Sequence, residues 1–289
     1  MKPAPFEYHA PETTADAVGL LGEHGDEAKP LAGGQSLVPM LALRLTRFGH
    51  LVDLNRVAEL TGVERRNGTV VVRAMTRQAD LEGSEAAGAI PLLTKATPLI
   101  GHFQIRNRGT VGGSIAHADP AAELPAVALA LDAQLEIASS SGTRLEPASE
   151  FFVGTWTTTV DDGELLTGVH FPVWSGRSGF AVDEVSRRLG DFALVGVTCG
   201  VELDDAGRVA RAAIALLGMG STPLRASAAE AALAGTTPSA ADLGEIAQLA
   251  VADLDPPEDI HASSQYRRSV GAHVVARALG AALEDADRA

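Results

Sequence analysis

The spacing of apolar residues divides the chain into alternating short strands and helices, followed by long strands and then helices. In the first part, the predicted strands are 30–32, 50–55, 62–65, 69–73, 133–137, 151–152 and 164–171. The predicted helices there are 15–21, 37–45, 78–88, 91–100 and 126–131. In the second part, the predicted strands are 180–188, 193–203 and 208–217, and the predicted helices are 224–234, 240–253 and 266–287. Strands followed by helices favour an α+β class for that second part.

Local signals set several boundaries of these elements. Thr13 or Thr14 is placed to cap the first helix, and Gly22 or Gly25 to end it. The pair Asn67-Gly68 predicts a two-residue hairpin turn. The segment 172–179 is rich in proline, glycine and serine and is the best linker candidate. With 289 residues, the chain is expected to form about two domains, 1–175 and 179–285.

Composition narrows the classes of protein and partner. Hydrophobic residues make up 46% and charged residues 21%, which is typical of a packed globular protein. The formal net charge of −14 repels nucleic acid and anionic membranes, so neither is expected as a partner. The same negative charge repels a phosphate ligand, so such a ligand would have to be held by local dipoles and nearby arginines.

The single cysteine, Cys199, limits redox and metal chemistry. One cysteine forms no disulfide within the chain and builds no iron–sulfur or cysteine zinc cluster. Its apolar surroundings predict a buried strand residue rather than a nucleophile. The start of the sequence has no apolar signal region and no run approaches the ~18 apolar residues of a membrane span, so a cytoplasmic protein is expected.

Paired glycines give the first candidate for a binding site. Gly33-Gly34 follows the strand 30–32, and Gln35 or Ser36 could cap the next helix. Glycines pay no Cβ penalty at positive φ, so their N–H groups can form a concavity for a phosphate. A tight strand–helix turn is the alternative. A Rossmann site is a further alternative, because Asp53 lies about 20 residues after Gly33, but the G-x-G-x-x-G spacing of that motif is absent.

A second stretch of the same kind is Thr110-Val111-Gly112-Gly113-Ser114, with Arg106 and Arg108 beside it as local positive charge. We therefore expect one large ligand gripped at two phosphate-binding loops. Downstream, Asp119-Pro120 resembles a helix cap and first turn, whereas Pro125 would allow the regular helix to begin only there.

Other residues carry alternative interpretations. His117 and Asp119 could be a metal pair, but a polar loop is favoured because no third ligand is nearby. Gly218-Met219-Gly220-Ser221 is a strand exit or a further phosphate loop. Ser36 and Ser114 lack the nucleophile elbow of hydrolases. Arg187 and Arg188 are surface charges, or one of them faces the bound ligand.

The motifs together resemble those of a known family. They are Ala32-Gly33-Gly34-Gln35-Ser36, Thr110-Val111-Gly112-Gly113-Ser114, Asp119-Pro120, Glu123-Leu124-Pro125 and Arg187-Arg188-Leu189-Gly190-Asp191-Phe192-Ala193. The sequence resembles the FAD-binding medium subunits of molybdenum hydroxylases, such as aerobic carbon monoxide dehydrogenase, nearly end to end. The resemblance implies an α+β protein: a PCMH-type FAD domain of two lobes, divided near 57–61, and a smaller C-terminal domain with a three-stranded antiparallel sheet and helices.

The resemblance also implies an electron-transfer role. Electrons would pass from a molybdopterin-containing large subunit through an iron–sulfur small subunit to FAD, and then to an external acceptor. The assembly would be a dimer of heterotrimers, and the lack of cysteine clusters agrees with metal centres on other chains. A stand-alone FAD oxidoreductase and a cofactor-free scaffolding module are the alternatives. No catalytic residue and no metal ligand are expected in this chain, because a flavin passes electrons onward without an acid or base.

Residue roles follow from the same resemblance. The diphosphate would be lined by Ala32, Gly33, Gly34, Gln35, Ser36, Thr110, Val111, Gly112, Gly113 and Ser114. Asp119 would lie in a polar loop beside the cofactor, and Glu123 would bond the ribityl or nearby hydroxyls. Ile100 and Leu166 would pack near the flavin. Phe192 stands where several members carry a tyrosine over the isoalloxazine. Phenylalanine at this position keeps the stacking surface but lacks the tyrosine hydroxyl.

Overall fold

The computed structural model describes residues 2–289. The elements of the first lobe are β1 (Glu7–His9), α1 (Thr14–His24), β2 (Ala28–Leu31), α2 (Leu37–Ala42) and β3 (His50–Asp53). The strands form a parallel sheet in the order β1-β3-β2. Helix α1 covers this sheet with three buried side chains, Ala17, Val18 and Leu21. A small parallel sheet buried under one helix therefore supports the first glycine pair.

Local capping sets the ends of α1 as the sequence predicted. The Thr13 hydroxyl accepts a hydrogen bond from the N–H of Asp16 at 3.1 Å, so Thr13 rather than Thr14 is the cap. The helix ends before Gly25, whose φ of 52° few side chains tolerate. Of the alternatives predicted at the two ends, Thr13 and Gly25 are confirmed.

The second lobe is built on a five-stranded antiparallel sheet. Its elements are β4 (Val63–Arg66), β5 (Thr69–Arg73), α3 (Gln78–Glu82), α4 (Glu85–Gly88), α5 (Pro91–Ala96), α6 (Phe103–Arg106), α7 (Val111–His117), α8 (Glu123–Ala130), β6 (Gln134–Ser139), β7 (Gly142–Pro147), α9 (Ala148–Phe151), β8 (Phe152–Gly154), β9 (Thr157–Thr158) and β10 (Leu165–Pro172). The strand order is β4-β5-β10-β6-β7, and β8 pairs with β9 separately. The predicted turn at Asn67-Gly68 joins β4 to β5, with both residues at positive φ.

The helices of this lobe are shorter than the sequence pattern predicted. The expected helix 78–88 is broken into α3 and α4, because Ser84 caps a new start by accepting from the N–H of Ala87. The expected helix 91–100 ends at Ala96 and continues as a 3₁₀ turn that contains Pro98. A capping serine and a proline each interrupt a run whose apolar spacing is helical.

Helix α8 begins at neither of the two positions that the prolines suggested. It starts at Glu123, so Pro125 falls within its first turn, where a missing N–H leaves no bond unmade. The Asp119 carboxylate instead accepts from the N–H of Ala121 at 2.9 Å and shapes the loop before the helix. Every residue of α8 is buried.

The C-terminal part is an antiparallel sheet backed by helices. Its elements are β11 (Arg177–Ser186), β12 (Ala193–Leu203), β13 (Val209–Leu217), β14 (Leu224–Arg225), α10 (Ser227–Leu233), α11 (Leu243–Val251) and α12 (Ser264–Arg288). The three predicted long strands are present in the order β11-β12-β13, and the two-residue β14 adds to their edge. Because of β14, the helix predicted from 224 begins at Ser227. The predicted linker is short, since only 173–176 separate β10 from β11.

Helix α8 joins the second lobe to the C-terminal sheet. The Thr198 hydroxyl on β12 donates to the carbonyl of Ala126 at 3.3 Å, and the N–H of Gly218 donates to the carbonyl of Pro120 at 2.8 Å. Apolar residues of both parts belong to one buried cluster, which contains Leu124 and Leu217. The loop that carries Asp119 is thereby fixed between them. Within residues 2–289, no helix combines the length and apolar content needed to cross a bilayer.

Candidate functional site

A cavity of about 560 Å³ lies between the two N-terminal lobes. This volume is in the range of small-molecule and cofactor sites. All but one of the residues that the resemblance implicated line it: Ala32, Gly33, Gly34, Gln35, Ser36, Ile100, Thr110, Gly112, Gly113, Ser114, Asp119, Glu123, Leu166 and Phe192. The exception is Val111, which is fully buried and packs in the core of the second lobe. Residues from distant parts of the sequence thus meet at one cavity.

The first glycine segment is an open turn between β2 and α2. Gly34 has a φ of 71°, the left-handed conformation that favours glycine. The Ser36 side chain makes no capping bond, and the Gln35 amide instead donates to the carbonyl of Gly33 at 3.1 Å. The expected cap by Gln35 or Ser36 is therefore wrong. Among the described residues, none accepts a hydrogen bond from the backbone N–H groups of residues 34–37, so these donors are free for a ligand.

The second glycine segment differs from the expected open loop, because it forms the start of α7. The Thr110 hydroxyl caps this helix by accepting from the N–H of Gly113 at 3.0 Å. The N–H of Val111 donates to the carbonyl of Thr76, and the N–H of Gly112 to the carbonyl of Ala74. The expectation of a second concavity of free N–H groups is therefore wrong. This segment instead lines the cavity with its backbone at the glycines and with the side chains of Thr110 and Ser114, each of which carries a hydroxyl.

Glycine is required where the two segments meet. A Cβ atom on Gly113 would lie 3.4 Å from the Cβ of Ala32 and 2.6 Å from the Thr110 hydroxyl. A Cβ atom on Gly112 would lie 2.7 Å from the Cα of Ala74. Side chains at Gly112 and Gly113 would therefore disturb the start of α7, and a side chain on Gly33 would collide with the backbone of Arg108 and Gly109, where the two segments meet. The segments therefore form one continuous wall, and an extended diphosphate fits the free N–H groups and hydroxyls that it presents.

The positive charge at the cavity comes from a residue that the sequence did not single out. Lys29 lines the cavity and lies with its ammonium 5.7 Å from the centre of the Phe48 ring. The expected Arg106 and Arg108 do not line it, and Arg106 forms an ion pair with Glu82 at 2.6 Å. Lys29 stands in a short strand with no motif around it, so only the fold shows that it faces the cavity.

Glu123 is the most perturbed acid of the cavity. Its side chain is only 5% exposed, and this burial raises its pKa from 4.5 to about 8, with smaller contributions from the nearby charges of Glu184 and Asp119. Burial likewise raises the pKa of Glu184 to about 7. A neutral carboxylic acid donates as well as accepts hydrogen bonds, so Glu123 suits the hydroxyls of a bound ligand.

Trp156 is a second cavity residue that the sequence reasoning missed. Its indole N–H donates to the Asp119 carboxylate at 3.3 Å, and its ring stacks on His117 with centroids 6.3 Å apart. Burial lowers the pKa of His117, which favours its neutral form. These contacts agree with the polar loop that was favoured for His117 and Asp119. The tryptophan lies at positive φ in the two-residue turn between β8 and β9, and no pattern around it marks a site.

The positions of four further residues bear on the remaining alternatives. Asp53 binds Tyr8 and Asn55 and does not line the cavity, which argues against a Rossmann site. Gly218 leaves the end of β13 at a φ of 73°, as expected of a strand exit. Arg187 bonds the ring of His261 outside the cavity. Cys199 is buried in β12, and burial raises the pKa of its thiol to about 12, so it is a core residue.

Two family models together match nearly the whole chain. The model described as the FAD binding domain in molybdopterin dehydrogenase matches residues 4–174. The model described as the CO dehydrogenase flavoprotein C-terminal domain matches residues 180–282.

Curated relatives and solved structures agree with these models. The chain is 44% identical to the 6-hydroxypseudooxynicotine dehydrogenase complex subunit alpha of Paenarthrobacter nicotinovorans, covering 99% of this chain and 97% of that one. It is 38% identical to the carbon monoxide dehydrogenase medium chain of Hydrogenophaga pseudoflava, covering 98% of each. A solved carbon monoxide dehydrogenase structure from Hydrogenophaga pseudoflava superimposes with a TM-score of 0.95, at 40% identity and covering 99% of each chain. The chain therefore belongs to the family of FAD-binding medium subunits of molybdenum hydroxylases, which are subunits of oxidoreductase complexes.

Proposed function

We propose that this chain holds one FAD in the cavity between its N-terminal lobes and passes electrons from a partner subunit to an external acceptor. The observation that carries the proposal is the convergence of the two glycine segments, remote in sequence, on one cavity wall. A wall of this kind suits one extended dinucleotide better than two separate phosphate ligands. When bound, FAD supplies the redox chemistry, and the protein supplies binding, orientation and electrostatics.

The diphosphate end is held by donors from both segments. The free N–H groups of residues 34–37 would bind phosphate oxygens, and the hydroxyls of Thr110 and Ser114 would bind from the opposite side. The Lys29 ammonium offsets part of the local negative charge, which matters in a chain of net charge −14. Gly33 acts by leaving room for the two segments to approach each other, and Gly112 and Gly113 by leaving room for Ala74 and Thr110 at the start of α7.

The flavin end is held by apolar contacts and one neutral acid. Ile100 and Leu166 are buried on the cavity wall and exclude water from that side. Glu123, protonated near neutral pH because of its burial, would donate a hydrogen bond to a ribityl or nearby hydroxyl. Phe192 is 63% exposed at the cavity and would cover the flavin ring on the side open to solvent. No proton transfer by a protein side chain is needed for electron passage.

The assembly that this function needs contains two further subunits. We include in the proposal an iron–sulfur small subunit as the electron donor, a molybdopterin-containing large subunit, and a dimer of such heterotrimers. The names of the relatives as medium chain and subunit alpha support the presence of partner chains. A cytoplasmic location is part of the same proposal, and fractionation of the native host tests it.

We also retain the division into domains 1–175 and 179–285, with lobes meeting near 57–61. The ranges of the two family models, 4–174 and 180–282, support it. The shared apolar cluster around α8 predicts that the two domains unfold together rather than as independent units.

Reconstitution with the partner subunits tests the function. The chain is purified alone and after co-expression with a large and a small subunit from the same host. Flavin reduction is then followed under argon by the loss of absorbance in the flavin band, at roughly 450 nm, on mixing with candidate substrates of the large subunit. We expect rapid flavin reduction in the complex and none in the isolated chain. Substrate-dependent turnover by the chain alone would instead identify a stand-alone oxidoreductase, and a complex that assembles without flavin would identify a scaffold.

A further inference from the structure

Three histidines of the first lobe meet outside the cavity but close to it. His9 is at the end of β1, His24 is the last residue of α1, and His50 is the first residue of β3. All three side chains are half-buried. One nitrogen from each ring can be chosen so that all three lie within 4.8 Å of one another. Among residues 2–289, this is the one group of three or more His, Cys, Asp or Glu side chains so arranged.

The rings are packed face to face rather than spread over the surface. The rings of His24 and His50 are parallel within 3° and 3.7 Å apart, and His9 Nε2 lies 3.0 Å from His50 Nδ1. The Glu7 carboxylate is 3.7 Å from the same His50 nitrogen and is 75% exposed, so it is free to swing toward the cluster. Three imidazoles therefore lie close enough to share one ion, with the Glu7 carboxylate beside them.

We infer that His9, His24, His50 and Glu7 form a binding site for a single divalent transition-metal ion, with Zn²⁺ as the best-matched ion. Imidazole is a preferred ligand of zinc, copper and nickel, and zinc accepts three histidines and one carboxylate in tetrahedral geometry. Zinc–nitrogen bonds of about 2.0–2.1 Å require the three nitrogens to close by roughly 1 Å from their present spread. The parallel rings of His24 and His50 must also turn out of their stack to direct a lone pair at one ion, and their partial exposure leaves room for this movement.

The location of the site assigns it a structural role. The ligands come from an edge strand near the start of the chain, from the end of a helix and from the central strand of the sheet. A metal there would join β1, α1 and β3 through coordination bonds to one ion. His24 also precedes Gly25, which lines the cavity, so the metal would fix the turn that borders the cofactor site.

The test uses the full-length chain without a histidine tag, treated with a chelator and then titrated with Zn²⁺ by calorimetry. We expect one Zn²⁺ per chain and a rise in melting temperature on binding. His9→Gln, His24→Asn and His50→Gln should each weaken the affinity at least about tenfold, because even the loss of an outer-shell partner has effects of this size. Glu7→Gln should weaken it less. His273→Gln, at an exposed position of α12, is the matched control and should bind like the unchanged chain.

The outcome is separable from that of the FAD proposal. Flavin content and absorbance of each variant are measured in parallel, and His9→Gln should lose the metal while keeping the flavin. Where a variant fails to fold, anomalous diffraction at the zinc edge from crystals of the unchanged chain replaces it, and a peak among the three imidazoles supports the site. No saturable binding, equal binding by the His9→Gln and His273→Gln variants, or a peak elsewhere would overturn the inference and leave a hydrogen-bonded imidazole stack.

Discussion

The backbone of Gly33 lies so close to the carbonyl oxygen of Arg108 that a Cβ atom on Gly33 would approach this oxygen to 2.3 Å. Gly33 belongs to the first glycine segment, and Arg108 lies two residues before the second. The Cα of Gly109 would also be only 2.8 Å away. The two segments are therefore packed against each other through backbone atoms, and this contact sets the spacing of the cavity wall.

Gly33→Ala should separate the two segments. Because the atoms it meets are backbone, relief requires movement of the chain, and we expect a loss of about 1–3 kcal/mol in the free energy of unfolding. The affinity for FAD should fall at least about tenfold, which corresponds to about 1.4 kcal/mol. Chemical denaturation of the flavin-free chain and titration with FAD measure the two effects separately.

Gly19→Ala is the matched control for this substitution. Gly19 lies in the interior of α1, and a Cβ atom there would meet nothing within 4 Å. Alanine should stabilise this helix by about 0.5–1 kcal/mol and leave FAD binding unchanged. Equal FAD affinity in both variants would contradict the role given to Gly33.

Thr110→Ala should weaken both the second segment and the binding of FAD. The hydroxyl caps α7, so its loss should cost about 1 kcal/mol of stability. Thr110→Ser keeps the hydroxyl and should restore most of the stability and the FAD affinity. If Thr110→Ser bound FAD as poorly as Thr110→Ala, the hydroxyl would not be the group that matters.

Glu123 makes the stability of the flavin-free chain depend on pH. Its folded pKa of about 8 exceeds the ordinary value of 4.5, so the folded chain retains a proton that the unfolded chain releases. The resulting stability is fully present below about pH 4.5 and is lost as the pH rises through about 8. Glu123→Gln should therefore flatten the fall in unfolding free energy between these pH values.

Denaturant titrations at a series of pH values measure this effect. The fall that Glu123→Gln removes should be on the order of 5 kcal/mol, since each unit of pKa difference corresponds to about 1.4 kcal/mol. The raised pKa of Glu184 also makes the unfolding free energy fall as the pH rises, and this fall is complete near its pKa of about 7. Some dependence of the unfolding free energy on pH should therefore remain in Glu123→Gln. Glu258→Gln, at an exposed position, should retain the full slope. An unchanged slope in Glu123→Gln would show that this carboxyl is ionised in the folded chain.

Phe192→Ala should change the flavin more than the fold. The side chain is 63% exposed, so its removal should alter the unfolding free energy by no more than about 0.5 kcal/mol. If it covers the flavin ring, the reduction potential and the reaction with an external acceptor should shift. Phe103→Ala is the control, because Phe103 is 62% exposed and does not line the cavity. Identical flavin spectra and potentials in both variants would remove Phe192 from the site.

Features set by neighbours in sequence were predictable, and features set by distant contacts were not. The Thr13 cap, the Asn67-Gly68 turn and the strands β11 to β13 depend on residues a few positions apart, and the sequence predicted them. The helix start at Thr110 was missed, because a glycine pair looks like an open loop until Ala74 and Thr76 supply acceptors for its N–H groups.

The sequence motifs predicted which residues line the candidate site, but not the environment that the fold gives to each of them. Glu123 and Asp119 were singled out by the family resemblance, whereas the raised pKa of Glu123 results from burial that only the fold provides. Lys29 and Trp156 stand in segments without a pattern, so their place at the cavity follows from topology alone. Arg106, chosen because it neighbours the second segment, points instead to Glu82.

Comparison of FAD with FMN tests most directly whether both glycine segments hold one dinucleotide. The purified flavin-free chain is titrated with each nucleotide, and the nucleotide released by heat from the chain as isolated is identified by chromatography. We expect one FAD per chain, FAD as the released nucleotide, and binding of FMN at least about 100-fold weaker, a difference of about 2.7 kcal/mol. Equal affinity for FMN, or no retention of either nucleotide, would contradict it.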